Sequence, residues 1–71
     1  EPFDDRTSKA VAGMLESVMD MAKTPGELNE FYSCETNRKL FHRINERDKQ
    51  PLRVAWRDLM KQLVDAQKGK N

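Results

Sequence analysis

Arg53, Arg57 and Lys61 recur every fourth residue in "RVAWRDLMK", a spacing that sets three cations along one side of an α-helix. Lys39, Arg43 and Arg47 repeat that spacing in "NRKLFHRINERDK", residues 37–49, with Arg38 beside them. Such rows contact successive phosphates, or they frame a groove for a carboxylate-rich peptide. Arginine outnumbers lysine in both, and a planar guanidinium suits bidentate recognition of carboxylate or phosphate. These seven side chains are the candidate binding residues. The competing reading is a solvated helix face, with Arg57 or Lys61 paired to Asp58 or Asp65 and Glu46 to Arg43.

Other chemistry has less to stand on. Cys34 and His42 suggest a nucleophile and a base, but they lie eight residues apart with no orienting group. A lone cysteine among aromatics is expected to be a small core residue. One His and one Cys fall short of the tetrahedral set that zinc requires. No Gly-rich phosphate loop is present, and Asp4 and Asp5 fall on an expected tail. The expectation is therefore a non-catalytic chain with no cofactor, no metal and no small-molecule substrate.

Periodicity supplies the elements that must position the cations. The chain has 71 residues, 37% hydrophobic and 35% charged. A single small domain of modest stability follows. Val11, Met14, Leu15, Val18, Met21 and Ala22 follow helical spacing, and Asp5 or Thr7 is placed to cap that helix. Gly13 marks a possible close helix–helix approach in it. "TPGE" starts a second helix: Thr24 as cap, Pro25 at the first position, and Glu27 reaching back to the cap's N–H. Its apolar face is Leu28, Phe31 and Tyr32. The stripe then falters, so this helix ends or bends near Thr36 to Asn37, and Leu40, Phe41 and Ile44 form a further turn. One unbroken helix from Pro25 to Asn45 is the alternative.

The last helix begins between Asn45 and Pro51, capped by Asn45 or Asp48, with Pro51 in its first turn. Leu52, Ala55, Trp56, Leu59, Leu63 and Ala66 form its stripe. Gly69 ends it. Phe41 and Trp56 sit at core-like positions, so neither is expected to stack on bases. The fold class is all-α: a small three-helix bundle with room for one extra short helical turn. Residues 1–6 read as a linker or tail end, 7–68 as one domain, and 69–71 as a C-terminal tail. A start at Glu1 in place of Met suggests a piece of a longer protein. No apolar run approaches membrane-spanning length, and a single cysteine suits a reducing, cytoplasmic setting.

The net charge of +1 conceals two unlike halves. Residues 1–36 carry three cations against eight carboxylates, and residues 37–71 carry ten against four. Either the halves neutralise each other by packing, or the second half meets an anionic partner.

The order of signals in "LESVMDMAKTPGELNEFY" and "NRKLFHRINERDKQPLRVAWRDLMKQL" resembles a small helical domain. That domain occurs at the C-termini of phage single-strand annealing recombinases and related phage DNA-processing proteins. The likeness spans about Leu15 to Leu63 and rests on helix-cap and core residues. It implies a partner-recruiting domain for a companion exonuclease or the acidic tail of a single-strand-binding protein, docked on the basic rows. The other readings are weak binding of single-stranded nucleic acid, as in an accessory domain of a recombination helicase, and a small phage regulator of a host enzyme.

Overall fold

The computed structural model describes residues 2–69. Among these all regular secondary structure is helical, with α1 at Asp5–Met19, α2 at Pro25–Ser33, α3 at Glu35–Arg43 and α4 at Glu46–Lys68. The all-α bundle therefore stands, and the expected extra turn is a full helix, α3.

Helix α1 starts where a carboxylate meets its free amides. Asp4 Oδ1 accepts from the Thr7 N–H at 2.7 Å, so the cap is Asp4, one residue before the nearest expected one. Its carboxyl titrates below the ordinary value because the backbone and then the side chain of Thr7 hydrogen-bond it. The helix stops at Met19, with Asp20 as its C-cap. Met21 and Ala22 consequently lie beyond it, although their spacing continues the stripe. Gly13 does not mark a close approach, since a Cβ built there meets nothing within 4 Å.

The Thr24 cap forms as expected, its Oγ1 accepting from the Glu27 N–H at 3.1 Å. Glu27 reaches one residue further back than the capping box requires and takes the Lys23 N–H at 2.7 Å. Helix α2 then ends at Ser33, and Cys34 serves as both its C-cap and the N-cap of α3, with ψ at 124°. The break falls two residues before the expected bend, and the unbroken alternative is excluded. At about 100° per residue, one straight helix would turn Leu40, Phe41 and Ile44 nearly opposite to Leu28 and Phe31. Breaking the helix lets both sets face one core. Asn37 secures the junction by donating to the Phe31 carbonyl at 3.1 Å, a last-turn acceptor that otherwise takes only a long 3.4 Å bond from the Cys34 N–H. Cys34 itself is exposed, so it is not a core residue.

Helix α4 is the spine, 23 residues long and so about 34 Å from end to end. The molecule measures 46 × 20 × 15 Å. Asn45 is the N-cap but makes no side-chain cap bond; its amide N–H donates to Asp5 at 2.8 Å. Pro51 lies inside the helix, in its second turn and not the first. There its ring opposes the Arg47 carbonyl and supplies no N–H to it.

Leu15, Ile44 and Leu52 are buried together, with Phe3, Val11, Ala12, Phe31, Leu40 and Phe41 packed around them. Phe3 was expected in a linker, but it belongs to the core and its N–H donates to the Arg43 carbonyl at 3.0 Å. The folded unit thus reaches back to Phe3. Glu1 of the expected linker, and Lys70 and Asn71 of the expected tail, lie outside the described residues. The most enclosed polar group is Ser8, which has no solvent exposure. Its Oγ donates to Asp48 Oδ2 at 2.5 Å and accepts the Asn45 N–H at 2.8 Å, tying α1 to the start of α4. Among the described residues, no helix is long and apolar enough to cross a membrane.

Candidate functional site

Where α2, α3 and α4 diverge over α1, they leave an open groove of about 940 Å³. Buried Leu15, Met19 and Leu52 lie at its base, with Phe31, Phe41 and Trp56 along its apolar lining. Arg38 and Lys39 line it from α3, and Arg53 and Arg57 from α4. His42 and Glu35 also line it. Helical periodicity delivers these cations: Arg53 and Arg57 share a side of α4 next to the Leu52 and Trp56 stripe. The break at Cys34 reorients α3, so that Arg38 and Lys39 arrive at the same groove.

Four of the seven candidate residues therefore meet around one apolar cleft. The other three do not. Arg43 has its guanidinium 4.1 Å from the centroid of the Phe3 ring, a cation–π distance. Arg47 lies 3.6 Å from Asp5. Both face the seam between the N-terminal segment and the α3–α4 corner. Lys61, a turn beyond Arg57, does not line the groove.

The four groove cations differ in how far they are committed. Lys39 pairs with Glu35 at 3.2 Å and Arg53 with Glu46 at 3.3 Å. Arg53 and Lys49 also lie over the Phe41 ring, at 5.6 and 5.8 Å. These pairs sit in solvent and are worth little. The Glu46 carboxyl is nonetheless held below its ordinary value, chiefly by the hydrogen bond from Arg53. Glu46 thus takes Arg53 and Lys49 in place of the expected Arg43. Among the described residues Arg38, Arg57 and Lys61 have no ion pair, so Asp58 and Asp65 are not the partners of Arg57 and Lys61. Between the two halves, Asp5 pairs with Arg47, and the adjacent Glu35 pairs with Lys39.

Two aromatic groups join the site without having been singled out for it. Tyr32 was placed on the apolar face of α2 but is 56% exposed. Its ring centroid lies 5.6 Å from that of Trp56, at 46° between planes. Trp56, expected in the core, is half-buried in the groove wall, and its Nε1 is covered with no hydrogen-bond partner among the described residues. The signal was in the sequence: arginines stand three positions before Trp56 and one after it. A tryptophan so flanked lies at the edge of an apolar stripe, where core and surface meet.

Chemically, the cleft offers an apolar base, several guanidinium donors with a single carboxylate among them, and an unused indole N–H. It suits an anionic ligand that also carries apolar surface. No family model matches the chain, and neither a curated protein nor a solved structure is significantly similar to it.

Proposed function

We propose that this chain is a non-catalytic docking domain that takes an acidic segment of a partner protein into the α2–α3–α4 groove. The observation that carries the reading is the meeting of Arg38, Lys39, Arg53 and Arg57 around an apolar cleft, with Arg38 and Arg57 uncommitted among the described residues. Apolar side chains of the partner would fill the base. Its carboxylates would accept charge-assisted, bidentate hydrogen bonds at the rim. The resemblance to C-terminal domains of phage annealing recombinases supports a place in phage DNA recombination or replication. The partner would then be the acidic tail of a single-strand-binding protein or a companion nuclease, met in the host cytoplasm.

One observation favours a second reading, single-stranded nucleic acid. Tyr32 is exposed beside Trp56 near the unpaired arginines, and aromatic faces beside cations can stack bases. Titrating the labelled domain by NMR, first with an acidic tail peptide and then with a single-stranded oligonucleotide, separates the two. Peptide docking moves resonances of α3 and α4 around the groove and survives moderate salt. Oligonucleotide binding that falls steeply with salt, with no response to peptide, overturns the protein-docking reading in favour of the second. Silence toward both ligands removes both readings.

A further inference from the structure

Trp56 carries the least explained polar atom in the molecule. Its indole N–H can only donate, and a buried tryptophan N–H ordinarily finds an acceptor. Here Nε1 has almost no exposure and no acceptor among the described residues, although its ring lines the groove. Leaving a covered donor unpaired is unfavourable. A site that keeps such a donor favours ligands that bring it an acceptor.

We propose that the Trp56 indole N–H is a specificity determinant of the groove, donating to a carboxylate or backbone carbonyl oxygen of a bound acidic segment that inserts a large apolar side chain beside it. The inference rests on the docking reading and adds which atom fixes the segment in place. Arg53 and Arg57 flank Trp56 along α4, so an oxygen drawn to the indole lies in the same positive field. Leu15 and Met19, both essentially buried, give the neighbouring apolar side chain its contact surface. Since Nε1 is covered in the free chain, binding must uncover it. Tyr32, its ring 5.6 Å from the indole and more than half exposed, is the neighbour whose displacement would do so. An oxygen-rich acidic peptide fits this requirement, because its side chains offer only acceptors while ionised.

The test uses the whole chain and a short synthetic peptide of aspartates with one central phenylalanine, beside the same peptide with alanine at that position. The chain has one tryptophan, so a nitrogen-15-labelled sample shows a single indole N–H signal. The expected result is a downfield movement of that signal on adding the phenylalanine peptide, and weaker binding of the alanine peptide. Trp56→Phe should bind the phenylalanine peptide roughly three- to tenfold more weakly, the loss of one hydrogen bond, while keeping its helical circular dichroism. An unmoved indole signal in a chain that does bind overturns the role of Trp56 and leaves groove docking standing. So does equal affinity of the Phe variant. Should that variant unfold, the wild-type indole signal alone decides. Failure of the wild-type chain to bind either peptide overturns the docking reading and this inference together.

Discussion

Ser8 shows how much one small side chain can organise. A serine inside a helix usually competes with the backbone for hydrogen bonds, but this one is turned inward and takes both the Asn45 N–H and the Asp48 carboxylate. Ser8→Ala strands both partners where solvent reaches them poorly, and should cost about 1–3 kcal/mol, read as a lower urea midpoint with an unchanged slope. Ser8 falls on the inner side of α1 by periodicity, yet nothing in the sequence told that a polar residue there would be fully enclosed. Its partners lie 37 and 40 positions away, and only tertiary packing brings them together. Asp4 offers a pH test. Its carboxyl is lowered in the fold by Thr7, so its contribution is complete above the ordinary carboxylate pKa and lost as pH falls through the lower folded value. Asp4→Asn keeps a capping oxygen but removes the titration. Melting temperatures of this variant should therefore fall less steeply than wild type below about pH 4.

At the scale of elements, the helices with local signals were legible and the junctions were not. Thr24, Pro25 and Glu27 defined the start of α2 to the residue, because capping is a short-range interaction. The break at Cys34 carries no capping side chain and no proline. It follows from the mismatch between two apolar sets that an unbroken helix could not turn to one core. Pro51 misled by appearing to mark a first turn, whereas α4 starts five residues earlier. A proline in that position is a standing cost, and Pro51→Ala should raise stability by about 1–3 kcal/mol. Chemical denaturation measures this directly, and a loss of stability would show that Pro51 adds something its place in the helix does not reveal. Gly13 is a second such position. With open space around its missing Cβ, Gly13→Ala should add about 0.5–1 kcal/mol.

For the whole molecule, the telling feature is how little is buried. Five hydrophobic residues are enclosed among those described, and the radius of gyration is 13.0 Å against about 11 Å for a compact domain of this length. Such a chain has modest stability and unspent apolar surface, and part of that surface is the base of the groove. Ligand binding should therefore show as stabilisation. At a free concentration a hundred times its Kd, a docked peptide adds about 2.7 kcal/mol. In a domain this small that should raise the melting temperature by roughly 10–20 °C. The cation rows were visible in the sequence as spacing. Their sorting was not, because it depends on the angle between α3 and α4 and on where Phe3 returns to the core. Arg38, Lys39, Arg53 and Arg57 face the groove, while Arg43 and Arg47 serve the N-terminal seam.

That sorting is what a single comparison of affinities tests most directly. The phenylalanine-bearing acidic peptide is titrated into the wild-type chain, into Arg38→Glu with Arg57→Glu, and into Arg47→Gln as a variant of the other cation cluster. Circular dichroism confirms that all three remain helical. Binding should disappear in the Arg38 and Arg57 double variant and persist within about threefold in Arg47→Gln, a change worth no more than an exposed ion pair. Undiminished binding in the folded double variant, or an equal loss in Arg47→Gln, would contradict a docking groove centred on Arg38 and Arg57.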